Sequence, residues 1–318
     1  MKWTKRGRIF NPTEFRLANG CVEFAQSPQA LVFADFVRIY FSTRSREAGN
    51  GKYRSHIAFV DFRKDLHTIV GVSQHTVIEL GQLGCFDEHG IFPINVLRLD
   101  GSVHAYTCGW SRRSSVSVET AIGMAISSDN GHTFQKKTDG PILAASLHEP
   151  SLVGDPFVRK IGDEFHMWRI FGTGWKEYGD TLAPDRTYKI GHARSKDGIR
   201  WVKEDGLQII ADKLGAQESQ ALPTVFDIGN RHHMLFCYRQ SFDFRKNRDR
   251  SYRIGHAWSD DLTNWRRDDK ELGLEVGVDA WDSDMLCYPH VFECDDKLCL
   301  LYNGNEFGRY GFGLAVLE

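Results

Sequence analysis

No stretch of this sequence stays apolar for the about 18 residues that a membrane-spanning helix needs. Nor does it contain a Cys-x-x-Cys pair, so a structural zinc site is not expected. Its seven cysteines, at 21, 85, 108, 237, 287, 294 and 299, are odd in number and lie mostly within apolar segments. They read as reduced, buried thiols rather than a disulfide framework. Charge of one sign is also missing: the net charge is −2, which gives no electrostatic footprint for nucleic acid. The start, Met1 to Arg8, is basic without an apolar run behind it, which argues against a secretory signal. Together these absences predict a cytoplasmic protein with no membrane partner, no metal and no cofactor.

Proline is scarce, 9 residues in 318, yet five of them keep time. Pro28, Pro93, Pro156, Pro223 and Pro289 are spaced 65, 63, 67 and 66 residues apart. After each comes a short apolar strand, a polar turn and an aromatic-rich strand. Asp100-Gly101 and Gly229-Asn230 are the clearest of these hairpin turns. A third strand carries Gly-x-Ala in Gly123-Met-Ala125, Gly191-His-Ala193 and Gly255-His-Ala257. A Ser-x-Asp run then leads to an aromatic: Ser127 to Phe134, Ser195 to Trp201, Ser259 to Trp265. Such a fixed period is the mark of a repeat architecture.

The expectation is an all-β fold: a five-bladed β-propeller of four-stranded antiparallel blades, in one domain over residues 1–318. The blades fall at about 21–80, 81–140, 148–206, 215–270 and 280–318. The last repeat lacks a fourth strand. Trp3-Thr4-Lys5-Arg6 matches the pattern of Trp201 to Glu204 and Trp265 to Asp268, so residues 1–10 are expected to close the final blade.

In a propeller the first strand of each blade lies nearest the axis, so the segments before the five prolines should converge at one mouth. Each carries a carboxylate: Glu23, the Asp87-Glu88-His89 cluster, His148-Glu149 with Asp155, Glu218, and Asp282 with Asp284. Facing carboxylates push their pKa values apart, and a pair flanking a sugar bond is what glycoside hydrolysis requires. Gln26 and Gln220 suit sugar hydroxyls. Arg169 and Arg239 end second strands and could pair with these acids or with an anionic sugar. His290 and Asn303 complete the expected substrate-binding set, with Glu88, His89, His148, Glu149 and Asp284. Trp110 and Trp175 could stack on sugar faces. The run Phe242 to Arg253 is a basic, aromatic insertion suited to a lid.

With the blade repeat in place, Gly154-Asp155-Pro156 resembles the Asp-Pro element of the five-bladed propeller glycosidases, the superfamily of arabinanases, xylosidases, invertases and levansucrases. The resemblance implies that Asp155 orients substrate and modulates the acid, and that Glu218, 63 residues on, is the general acid. Two positions depart from the pattern. Ser27 stands where that family carries an Asp before its first Pro, and Glu218 sits five residues before Pro223 rather than two. Asp87 is the candidate for the missing base or nucleophile. The function expected is a glycoside hydrolase or related glycan-processing enzyme acting on a saccharide. The alternative is a propeller that binds a saccharide without cleaving it.

Overall fold

A computed structural model describes residues 1–179 and 183–318. The chain is nearly all β, arranged as successive antiparallel meanders. β1 (Trp3–Phe10) stands apart from the first, which comprises β2 (Glu23–Val32), β3 (Phe36–Arg46), β4 (Tyr53–Arg63) and β5 (Ile69–Val72). Next come β6 (Gly90–Leu99), β7 (Ser102–Arg112), β8 (Val118–Ser127) and β9 (Gln135–Lys136). One parallel pairing, Ser55 with Gly90, joins these two meanders into a single sheet.

A four-stranded sheet follows, of β10 (Ser151–Ile161), β11 (Glu164–Lys176), β12 (Asp185–Ser195) and β13 (Val202–Lys203). Another holds β14 (Glu218–Ile228), β15 (Arg231–Gln240), β16 (Arg253–Ser259) and β17 (Arg266–Arg267). The last holds β18 (Cys287–Cys294), β19 (Lys297–Asn303) and β20 (Phe312–Leu317), and β1 returns to complete it. Trp3 pairs with Leu317 and Phe10 with Phe312, as the Trp3 echo in the sequence predicts. Among the described residues no helix is long and apolar enough to cross a membrane.

Turn chemistry explains the hairpins. Asp100-Gly101 and Asp295-Asp296 both have two central residues at positive φ, the conformation that follows the twist of paired strands. The Ser-x-Asp runs form the outer turns between third and fourth strands. Asp129, Asp197 and Asp261 each accept backbone N–H groups from the residues ahead of them. These bonds hold their carboxyls below the usual carboxylate range.

These turns also tie sheet to sheet. Tyr40 Oη donates to the Gly131 carbonyl at 2.8 Å, and Tyr106 Oη to the Gly198 carbonyl at 3.2 Å. At the third such turn Leu262 takes positive φ and lies buried. Among first strands, β2 contacts β6, β6 contacts β10, β10 contacts β14, β14 contacts β18, and β18 returns to β2. Side chains brace the seams. Asn95 Nδ2 donates to Gln29 Oε1 at 3.2 Å while its Oδ1 accepts the Val158 N–H, and Thr224 Oγ1 accepts the Val291 N–H. The apolar core lies between neighbouring sheets, with Trp168, Tyr40, Tyr106, Tyr302 and Phe236 fully buried.

Candidate functional site

The five timed prolines mark a distortion as well as a repeat. In β2, β6, β10, β14 and β18 the pairing register slips across the step into the proline. Ser27, Asp155, Leu222 and Tyr288, each directly before a proline, sit at φ between 49° and 58°. A non-glycine residue in this region is strained, and a bulge re-aims the side chain it carries.

The carboxylates ahead of these bulges follow a second rule, and it turns most of them outward. Asp87 meets Lys136 at 3.2 Å, Glu149 meets Lys203 at 2.6 Å, Glu218 meets Arg267 at 2.5 Å, and Asp282 meets Lys5 at 2.6 Å. In every case the cation is on the fourth strand of the same sheet. In every case it stands two residues after an aromatic: Phe134, Trp201, Trp265 or Trp3. All four carboxylates are buried. Glu149 also binds Arg169 at 2.7 Å, and Glu218 also accepts the N–H groups of Lys213 and Leu214 and the amide of Gln220. Each ties the start of a sheet's first strand (Glu218) or the loop leading into it (Asp87, Glu149, Asp282) to the last strand of that sheet.

One cavity, of about 720 Å³, draws its walls from every sheet. Phe24, Gln26 and Arg44 come from the first meander, and Phe92, Trp110 and Thr120 from the second. Arg186 and Tyr188 come from β12, Arg239 from β15, and Met285 and Tyr288 from the approach to and start of β18. The basic insertion covers one side with Phe244, Arg245, Lys246, Arg248 and Tyr252. Arg309 adds another cation, while Asp284 and Glu306 supply the carboxylates of the lining.

Buried Arg239 is held in place by its Nη2 donating to Tyr188 Oη at 2.9 Å and its Nη1 donating to the Gln240 carbonyl at 2.8 Å. Its guanidinium lies 3.6 Å from the centre of the Phe244 ring. Tyr188 and Tyr252 share a hydroxyl hydrogen bond at 2.7 Å, and burial raises the Tyr252 hydroxyl well above its ordinary range.

Of the residues expected from sequence, Gln26, Arg239 and Asp284 line this cavity. Gln26 donates from Nε2 to the Phe307 carbonyl at 2.7 Å, leaving Oε1 without a partner among the described residues. Asp155 is buried beside the lining residue Arg186. Burial pushes its carboxyl up to about 7, against the lowering effects of the Leu222 N–H and the Arg186 charge.

The remaining expected residues are placed elsewhere. Asp87, Glu149 and Glu218 belong to the strand ties, with Arg169 and Gln220 as their partners. Glu88 accepts the Gly84 N–H at 2.7 Å and contacts His89, whose ring stacks on Trp110 at 5.9 Å. His148 is exposed on its loop. His290 is packed on Phe292, and burial pulls it down to about 3. Asn303 braces the closing seam, accepting the Ser27 N–H and donating to the carbonyls of Ala25 and Gly311.

The cavity residues that sequence reasoning passed over are Arg44, Arg186, Tyr188 and Tyr252. Their signal was faint: Arg44 and Arg239 both end second strands, and Tyr252 lies within the basic insertion.

The chain matches no family model. It is 33% identical over 327 aligned positions to the uncharacterised proteins Rv1502 and MT1551 of two Mycobacterium tuberculosis strains, covering all of this chain and all of each relative. Among solved structures, a β-1,2-mannobiose phosphorylase from Listeria innocua superposes with a TM-score of 0.69 at 14% identity, covering 100% of this chain and 96% of that one. A thermostable family-43 glycoside hydrolase gives 0.64 at 12%, covering 95% and 91%. An α-L-arabinanase from Penicillium chrysogenum gives 0.62 at 12%, covering 100% and 99%. The fold is therefore that of the propeller glycosidases, and by sequence the chain belongs, end to end, to the family of Rv1502 and MT1551.

Proposed function

We propose that this protein is a glycan-processing enzyme on a single five-bladed propeller spanning residues 1–318, with the shared cavity as its active site. The observation that carries the reading is that every sheet contributes to one cavity lined by aromatic faces and polar side chains. Sugars need both: C–H faces that stack on aromatic rings and hydroxyls that need hydrogen-bond partners. The closed order of first-strand contacts supports the blade count. An α-L-arabinanase complexed with arabinobiose and a β-1,2-mannobiose phosphorylase share the fold, which supports the substrate class. All seven cysteines are unpaired, which supports a reducing, cytoplasmic setting.

Asp155 does not itself line the cavity but is buried beside the lining residue Arg186, and in this reading it is the source of the acid proton. A carboxyl titrating at about 7 is about half protonated at neutral pH, as a general acid must be in part. Asp284 and Glu306, on the cavity lining, are the candidates for its counterpart. Asp87 and Glu218 are assigned to structure: Asp87 Oδ2 pairs with Lys136 at 3.2 Å, and Glu218 is held by Arg267 and by the Lys213 and Leu214 N–H groups.

The test is a glycoside and oligosaccharide panel on wild type, Asp155→Asn, Asp284→Asn and Glu306→Gln. Asp155→Asn should lower kcat by about 100-fold or more. The acid must be protonated to act, so wild-type activity should fall as pH rises through about 7. Full activity in Asp155→Asn would move the chemistry elsewhere. The second reading, a saccharide-binding propeller without turnover, is favoured by the locking of Asp87 and Glu218 into ion pairs. It predicts calorimetric binding of a panel member with no product.

A further inference from the structure

The cavity carries more positive charge than the protein around it neutralises. Arg44 is the plainest case. Its guanidinium lies 4.6 Å from the centre of the Phe24 ring, and its Nε finds no hydrogen-bond partner among the described residues. The carboxylate that acts on it, Glu23, is already bound to Arg309 and to Tyr53 Oη. Arg239 is buried, with its own Nε unpartnered among the described residues and Asp185 no closer than 3.9 Å. Arg245 reaches in from the insertion and is repelled by Arg186 and Arg239, and it in turn repels Arg44. Burial and the neighbouring Arg245 charge work against the charged form of Arg44, and the Arg186 and Arg239 charges work against that of Arg245.

Aromatic faces soften such charges but accept no hydrogen bond in the plane of the guanidinium. A neutral sugar would fill the space and leave the charge unanswered. A flat guanidinium fork is shaped for two oxygens of one anion.

We propose that the cavity holds its saccharide through an anionic group, a carboxylate or a phosphate, gripped by Arg44, Arg239 and Arg245. This rests on the saccharide reading of the cavity and narrows it to anionic sugars, or to a neutral sugar bound beside free phosphate. Trp110, Tyr188 and Tyr252 are the aromatic side chains of the lining nearest to hand for the sugar ring.

The test is calorimetric titration of the full-length protein with glucuronate, glucose phosphate, inorganic phosphate and glucose, repeated at raised salt. At least one anionic probe should bind at least about tenfold more tightly than glucose, and raised salt should weaken it. Arg44→Gln and Arg245→Gln should each weaken that probe by roughly tenfold, the effect of losing one charge-assisted hydrogen bond. Arg245 is on the exposed insertion, so its variant keeps the test open should a substitution at buried Arg239 fail to fold. Binding of inorganic phosphate without the charged sugars would assign the site to a free phosphate. Equal binding of glucose and the anions, or unchanged binding in both variants, overturns the anionic inference alone. If no probe of either charge binds, the anionic inference falls. If the wider glycoside panel also shows neither binding nor turnover, the saccharide reading falls with it.

Discussion

Glu218 accepts charge-assisted bonds from Arg267 and from the Lys213 and Leu214 N–H groups, while Arg267 also keeps Asp269 at 3.1 Å. Glu218→Gln should therefore cost about 1–3 kcal/mol of unfolding free energy, measured by chemical denaturation. Adding Arg267→Met to that variant should be non-additive with it, because the two side chains share one contact. A loss of activity with unchanged stability would instead return Glu218 to the chemistry. Histidine makes a second prediction at this scale. His166 and His192 meet ring to ring at 3.1 Å, and His233 and His256 at 3.0 Å. Burial lowers all four, bringing His192 and His233 to about 4. Between about 6.5, the unfolded value, and about 4 the unfolded chain binds the more protons, so stability is full above that window and drains away as pH falls through it. Thermal melts from neutral pH downward should show the decline, and a His192→Gln, His233→Gln pair should flatten it.

At the scale of the element, the outer turn is where sequence and structure agree most closely. The Ser-x-Asp run repeats, and in each copy the Asp accepts backbone N–H groups ahead of it: four residues on for Asp129, two and three residues on for Asp197 and Asp261. What the sequence does not disclose is the grip of the turn on the preceding sheet. Gly131 has φ of 80°, and a methyl group there would lie 2.0 Å from Tyr40 Oη. Gly131→Ala should cost about 1–3 kcal/mol from the backbone conformation alone, and Tyr40→Phe in the same background should return some of it by relieving the clash. An unchanged Tm in Gly131→Ala would mean that the turn is free of its neighbour.

The same contrast explains the site. Strand order, turns and the closing strand follow from local periodicity, which a single sequence displays. Whether the acid before a proline points to the axis or to the fourth strand is decided by the bulge and by which cation stands across the sheet. The Phe/Trp-x-Lys/Arg pattern at Lys5, Lys136, Lys203 and Arg267 was present, but its partners lie 49 to 54 residues away, or 277 residues away for Lys5. The cavity arginines, 44, 186, 239 and 245, share no motif at all.

At the scale of the whole molecule, β1 precedes β2 to β20 in the chain and is among the last of them to find a partner. Its neighbour is β20, so the pairing of Trp3 with Leu317 spans nearly the entire chain. At a synthesis rate of about 5–20 residues per second, the opening strand waits roughly 15–60 s with its hydrogen-bonding edge uncovered. The two chain ends then lie side by side: the Glu318 N–H donates to the Lys2 carbonyl at 3.0 Å, and Lys2 pairs with the Glu318 carboxylate. A short linker joining them, with new ends cut between Asn11 and Cys21, would let every sheet finish in the order it is translated. Such a permutant should keep the native Tm within a few degrees and should aggregate less during expression at high temperature. During biosynthesis, then, the seam between β1 and β20 is also the period of greatest exposure, and β1 stays open to other strands until β20 emerges.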